Sequence, residues 1–206
     1  MNIVKTVDFT KGDVTDGAST SEPFTDDLLL EADYNAIDVN GHGTFVAGLI
    51  GSRNPQCTGI APEAEIYILK LFTDDEVTYS AWFLDAFNFI LDNDIDIVNL
   101  STASKDTQDL PFIEKIEELT THGVIVISAI GNDGPTQGSV ESPGNLDSVI
   151  GVGSLSANFE KVAAFSSRGM SKSQLSTRIG SPNPDVMLPG EQIMGLDLDT
   201  GKCRLN

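Results

Sequence analysis

Residues 66–129 read IYILKLFTDDEVTYSAWFLDAFNFILDNDIDIVNLSTASKDTQDLPFIEKIEELTTHGVIVISA, and this stretch decides the fold. Apolar residues at helical spacing predict helices at Tyr79–Leu91 and Phe112–Thr121. Short apolar, β-branched runs predict strands at Ile66–Phe72, Ile95–Leu100 and Val124–Ala129. Strands that are apolar on both faces are typical of a parallel sheet buried beneath helices. The alternation therefore predicts a doubly wound α/β fold, with a mostly parallel sheet and helices on both faces.

The chain changes character at Gly41. Residues 1–40 are acidic, rich in Asp, Thr, Ser and Gly, and without sustained periodicity, so we expect a largely irregular segment there. The folded domain is expected over residues 41–206, with a further strand at Val149–Gly153. The total of 206 residues fits one ordinary domain.

Charge and composition exclude several classes of function. The formal net charge is −19, which would repel nucleic acid and anionic lipid surfaces, so we expect no nucleic-acid partner. No apolar run is long enough for a signal peptide or a membrane span. Two cysteines, Cys57 and Cys203, are too few for a disulfide scaffold or a cysteine-based zinc site, and the sequence leaves open whether they pair.

General-base candidates are few because the chain has only two histidines. His122 stands at a predicted helix end, where an imidazole meets the terminal carbonyl groups, so its role is structural. His42 lies in Gly41–Gly48, which reads GHGTFVAG. The flanking glycines let a helix begin close to neighbouring backbone while the imidazole projects from its first turn. This position suits a general base.

A second motif, SAIGNDGP at Ser128–Pro135, directly follows the third predicted strand. The side-chain amide of Asn132 is thereby released at the carboxyl end of a strand into a turn rich in Gly and Pro. An amide in this position can donate a hydrogen bond to an oxyanion. By itself the motif is also compatible with an ordinary asparagine turn.

The two motifs resemble the histidine and oxyanion-asparagine motifs of the subtilisin-like serine proteases, the subtilase family. The intervening sequence resembles the site-1-protease branch of that family, and so do later segments. The matching stretches are LFT at Leu71–Thr73, VTYSAWFLDAFN at Val77–Asn88, FSSRGM at Phe165–Met170 and PD at Pro184–Asp185. The resemblance covers about Gly41 to Cys203, and it implies a subtilisin-like fold and a serine endopeptidase.

The resemblance also implies residue roles. His42 would be the general base, and Asn132 would donate to the tetrahedral intermediate. A protein or peptide substrate in extended conformation would pair with the strand end formed by Leu100, Ser101 and Thr102. One wall of the first specificity pocket would consist of Ser128, Ala129, Ile130 and Gly131. Cleavage after a hydrophobic or similar residue, with a basic residue upstream, is implied as well.

Parts of the family pattern are missing. The catalytic serine belongs in a Gly-Thr-Ser-x-Ala-Ser-Pro motif, which the sequence lacks, and Ser166 and Ser167 match a different, structural segment. Asp8 is a poor match for the catalytic aspartate, because Asn2–Asp13 resembles the segment that follows the aspartate strand. We therefore expect a catalytic domain truncated at both ends and inactive alone. Thr102-Ala103-Ser104 also replaces the usual glycines, and a Cβ at Ala103 would narrow the pocket entrance.

Two other functions are compatible with the sequence. The first is a non-catalytic relative whose groove binds peptides. The second is a nucleotide-binding α/β enzyme that uses Gly151-Val152-Gly153, but no helix is predicted after Ser156. No cofactor is required for the expected chemistry and no metal ligand is assigned; the resemblance leaves room for a structural calcium ion. It also implies a location in the secretory pathway, in the lumen of the endoplasmic reticulum or the Golgi apparatus.

Overall fold

The computed structural model describes residues 1–11, 36–170 and 182–205. The chain divides into two compact units. The first unit consists of Met1–Ala86 and Met194–Arg204, and the second consists of Phe87–Ile193 and Leu205–Asn206. Each unit is described by itself.

The first unit contains a two-stranded parallel sheet. Its elements are β1 (Asn2–Asp8), a 3-10 turn (Phe9–Lys11), α1 (His42–Gly51), β2 (Glu65–Lys70), the beginning of α2 (Ser80–Asp92), β7 (Met194–Leu196) and the start of β8 (Cys203–Leu205). Asp8 at the end of β1 is opposite Lys70 at the end of β2. Val7, Ile66 and Trp82 are among the apolar residues buried in this unit, where removal of their side chains from water stabilises it.

The carboxyl-terminal strands of the first unit are held in two ways. Helix α1 packs against β7, where Gly48 lets Leu196 approach: a Cβ on Gly48 would lie 2.9 Å from Leu196 Cγ. A disulfide joins Cys57 to Cys203, the pairing that the sequence left open. The small residues of the GHGTFVAG motif therefore serve close packing as well as helix initiation.

The second unit is built on four parallel strands in the order β3-β4-β5-β6. These are β3 (Ile97–Leu100), β4 (Ile125–Ala129), β5 (Ile150–Leu155) and β6 (Val186–Pro189). Helix α3 (Leu110–Thr121) packs against β4 and buries Phe112, Ile116 and Leu119. Its N-terminus is capped by Asp109, which accepts a hydrogen bond from the Phe112 N–H (3.3 Å).

The fold predicted from the sequence is confirmed, and the differences have physical reasons. The helical and strand segments predicted between Ile66 and Gly153 are present with ends shifted by a few residues. Strand β1 lies in residues 1–40, where the sequence predicted a largely irregular segment, because Lys5 interrupts its apolar run; pairing with the distant β2 supplies its backbone partners. Residues 12–35 of that segment lie outside the described residues. Strands β6, β7 and β8 were also missed, being too short to show a period.

Candidate functional site

His42 is the first residue of helix α1 and its side chain is exposed. Gly41 precedes it with φ of 94°, a left-handed conformation that favours glycine, and this turn starts the helix at the histidine. The backbone N–H of His42 donates to Asn40 Oδ1 (3.2 Å). The imidazole therefore projects from the first turn of α1, as the sequence predicted.

Asp38 organises the turn that carries His42, and the sequence analysis did not identify it. Asp38 Oδ1 accepts the N–H groups of Asn40 (3.0 Å) and Gly41 (2.9 Å), and Oδ2 accepts the N–H (2.8 Å) and hydroxyl (2.7 Å) of Thr44. Burial alone would raise the pKa of Asp38, but these hydrogen bonds outweigh it and lower the pKa below the ordinary 3.8. An Asp shortly before a Gly-started helix is the sequence signal for such a cap.

Replacing Asp38 by Asn should destabilise the first unit by about 2 kcal/mol, because an amide cannot accept from Thr44 as the second carboxylate oxygen does. Because folding lowers the pKa of Asp38, its carboxylate stabilises the folded chain at pH values above the ordinary pKa of 3.8. This stabilisation is lost as the pH falls through the lowered pKa. D38N should therefore narrow the stability difference between neutral and acid pH. Urea unfolding followed by Trp82 fluorescence checks this, with exposed Asp75→Asn as the control. Equal stability of D38N and the parent chain at neutral pH would contradict the capping role.

Asp8, the poor match for the catalytic aspartate, ends β1 and is only 4% exposed. Its Oδ1 accepts both the N–H (3.0 Å) and the hydroxyl (2.6 Å) of Thr10, and its Oδ2 lies 3.8 Å from Lys11 Nζ. The residue lines a cleft of about 430 Å³ together with Lys70 and others, and His42 is not among the described lining residues. The carboxylate therefore organises the turn that follows β1.

The predicted substrate-binding residues lie at the carboxyl ends of two adjacent strands in the second unit. Leu100 ends β3 and is opposite Ser128 in β4. The exposed Ser101 follows and accepts a hydrogen bond from Asn99 Nδ2 (3.1 Å), and Thr102 comes next. Parallel pairing thus brings the predicted strand end and the start of the predicted pocket wall, Ser128–Gly131, to one edge of the sheet.

Asn132 is exposed in the loop that directly follows β4. The loop is fixed by the FSSRGM segment: Gly134 N–H donates to Phe165 O (2.8 Å), and Ser167 N–H donates to Gly131 O (3.1 Å). Ser167 Oγ accepts from the Asp133 N–H (3.1 Å). The asparagine amide is therefore carried on an ordered turn at the sheet edge, while His42 belongs to the first unit.

Ser166 and Ser167 are buried, each 1% exposed. Ser166 Oγ accepts the N–H of Ser154 (3.0 Å), just as Ser167 Oγ accepts that of Asp133. A nucleophile must reach a substrate carbonyl, and buried hydroxyls held by backbone donors are placed for structure. This geometry agrees with the structural role expected of both serines.

Charged side chains surround the Asn132 loop. Lys105 Nζ lies 2.6 Å from Asp133 Oδ2, so the segment after β3 is tied to the loop after β4. Glu141 is 8% exposed and is close to both. Burial is the main cause that raises the pKa of Glu141; the charge and hydrogen bond of Asp133 raise it further, and Lys105 opposes them.

The structure also shows the environment of the remaining candidate residues, His122, Gly151 and Gly153. His122 caps α3, its Nδ1 lying 2.8 Å from Glu118 O. Gly151 and Gly153 lie within β5 in close contact with neighbouring segments, and no helix begins at Ser156.

Among residues 1–11, 36–170 and 182–205, no three His, Cys, Asp or Glu side chains are grouped to hold a metal ion. None of the helices described has the length and apolar character to cross a membrane.

Comparison with protein families gives one match that covers nearly the whole chain. The model of the subtilase family matches residues 14–205. The match includes the GHGTFVAG motif, the strand ends at Leu100 and Ala129, and Asn132.

Individual proteins and solved structures give the same result. The chain is 50% identical to subtilisin-like protease SBT6.1 of Arabidopsis thaliana over 161 residues, 78% of this chain and 15% of that protein. It is 46% identical to the human membrane-bound transcription factor site-1 protease over 165 residues, 80% of this chain and 15% of that protein. The chain thus spans about 15% of the length of these relatives. Its structure is similar to that of the S41 psychrophilic protease, with a TM-score of 0.77, 26% identity, and coverage of 99% of this chain and 64% of that one.

Proposed function

Because the chain belongs to the subtilase family, we propose that it is part of a serine endopeptidase of the site-1-protease type, which hydrolyses a peptide bond through an acyl-enzyme. The observation that carries the proposal is the family match over residues 14–205, within which both chemistry-bearing motifs occur in order. Their local geometry supports it, since His42 begins α1 and Asn132 lies in the loop after β4, and both residues are exposed.

In the proposed reaction His42 accepts the proton of the nucleophilic serine as that hydroxyl attacks the substrate carbonyl. His42 then returns the proton to the leaving amine. The Asn132 amide donates to the oxyanion of the tetrahedral intermediate. The backbone of Leu100–Thr102 pairs with the extended substrate, and Ser128–Gly131 form a wall of the first specificity pocket. Asp38 acts through His42 as a positioning residue, because it caps the helix that begins at the histidine.

The proposal assigns the nucleophile to none of the serines in the 206 residues. A fluorophosphonate probe, which reacts with activated serines, should therefore leave this polypeptide unlabelled, as read by intact mass. An active subtilisin is the positive control. Stoichiometric labelling of the purified chain would refute this assignment.

A non-catalytic peptide-binding relative is the alternative. It is favoured by Ala103, where the resemblance leads us to expect glycine. Sequencing the full transcript separates the two. A reading frame that continues into Gly-Thr-Ser supports the endopeptidase, whereas a stop codon after Asn206 supports the alternative.

Peptide binding tests the groove that both candidates share. An extended peptide should protect the backbone N–H groups of Ser101–Ala103 and of Gly131 from hydrogen exchange. The same peptide with N-methylated backbone amides is the matched control, because it cannot pair as a strand. Equal exchange with and without the unmodified peptide would overturn the proposed groove.

The proposal also covers the cellular location of the protein, its cofactors and a structural metal ion. We place the protein in the lumen of the secretory pathway, a location supported by its disulfide and by the membrane-bound site-1 protease among its relatives. The proposed chemistry uses only groups of the protein itself, so it requires no cofactor. A structural calcium ion is a separate proposal, which calcium-dependent thermal stability would support.

A further inference from the structure

Glu141 lies on a short segment that joins the two predicted sides of the substrate groove in the second unit. Its N–H donates to Ile130 O (3.0 Å), which attaches the segment to the predicted pocket wall. The next residue, Ser142, forms an antiparallel bridge with Ser104, with N···O distances of 2.8 and 2.9 Å. Residue 141 is thereby fixed between the segment after β3 and the segment after β4.

The carboxylate of Glu141 faces the wall itself. A Cβ built on Gly131 would lie 2.7 Å from Glu141 Oε2 and 2.8 Å from its Cδ. The acid group therefore covers the α-carbon of Gly131, the last residue of the predicted wall and the neighbour of Asn132. Glycine at this position leaves the room that the carboxylate occupies.

Within the described part of the chain, one carboxylate, Asp133, and one cation, Lys105, act on the Glu141 side chain, and Asp133 also shares a side-chain hydrogen bond with it. Asp133 is paired with Lys105 across 2.6 Å, and the Lys105 side chain is 76% exposed. With Glu141 ionised, these side chains carry two negative charges and one positive charge. Burial raises the pKa of Glu141 because its charged form is poorly solvated there. A cation that entered the pocket would compensate that charge with a charge-assisted hydrogen bond.

We propose that Glu141 is a specificity-determining residue that makes the first pocket select a lysine or arginine side chain on the substrate. This inference rests on the proposed function, since it takes the Ser128–Gly131 wall to be that of the pocket. It differs from the hydrophobic preference implied by the resemblance. An apolar side chain would bury the carboxylate further and bring no opposite charge to it, whereas an ammonium or guanidinium group would pair with it.

Peptide binding to the 206-residue chain tests the proposal, because no cleavage is needed. The probes are two fluorescent tetrapeptide amides, identical except that the last residue is lysine in one and norleucine in the other. Norleucine has nearly the length of lysine without its charge. The parent chain should bind the lysine peptide about tenfold more tightly, the equivalent of one charge-assisted hydrogen bond.

Glu141→Gln should abolish this preference while it leaves binding of the norleucine peptide nearly unchanged, and exposed Glu114→Gln should leave the preference intact. The preference of the parent chain should also fall as acid protonates Glu141, with Asp133 and Lys105 the charged groups that face it. Equal binding of the two peptides by the parent chain would overturn the inference and leave the proposed groove standing. Binding of neither peptide would overturn both.

Discussion

The double variant Cys57→Ser, Cys203→Ser should lose about 4 to 5 kcal/mol of stability, the largest effect expected for any change outside the core. The disulfide links residues 146 positions apart, so its removal frees a long loop in the unfolded chain. It also removes the covalent tie between the segment after α1 and the start of β8. Urea unfolding measures the loss, and buried Trp82, the single tryptophan, reports on the first unit.

Reduction supplies the control for this prediction. Dithiothreitol should lower the stability of the parent chain to that of the double variant, and it should not affect the variant itself. Agreement between the two routes would exclude an effect of the serine side chains. Parent and variant chains that unfold at the same urea concentration would show that the crosslink contributes little.

The disulfide also shows where sequence reasoning stops. Two cysteines far apart along the chain are compatible with a pair or with two free thiols, because only the fold decides how close they come. Helices α2 and α3 and strands β2 to β5 could be predicted, since their apolar residues follow a helical period or form short continuous runs. Strand β1 could not, because Lys5 breaks its pattern and its partner β2 begins at Glu65, far along the chain.

The candidate site likewise contains residues that a local motif identifies and residues that only the fold brings into place. His42 and Asn132 could be identified because a contiguous motif carries each of them. Asp38 has a local signal as a helix cap, but it precedes the GHGTFVAG motif, which by itself indicates only His42. Glu141 had no local signal, since it approaches Gly131 only through the bridge between Ser104 and Ser142. Residues that act through long-range pairing are those that a pattern in the sequence does not show.

Gly134→Ala should destabilise the second unit by about 3 kcal/mol, at the upper end of the usual cost of overpacking. A Cβ on Gly134 would collide with the carbonyl oxygen of Ser166 and lie 2.7 Å from its carbonyl carbon and 2.8 Å from Ala164 O. These are backbone atoms, so the loop or the FSSRGM segment must move. Displacement should break the bond from Gly134 N–H to Phe165 O and release the turn that carries Asn132.

Hydrogen exchange separates this local effect from general instability, because the Asp133, Gly134 and Ser167 amides should lose protection before those of β4. Gly123→Ala is the matched control: its φ of 91° is strained for alanine, but nothing lies within 4 Å of the added carbon. The control should therefore cost about 1 kcal/mol and leave the loop amides protected. If both variants lost the same stability and loop protection stayed intact, the close contact with Ser166 would not be what orders the Asn132 turn. The proposed oxyanion donor would then depend on the Ser167 hydroxyl and the Lys105–Asp133 ion pair for its position.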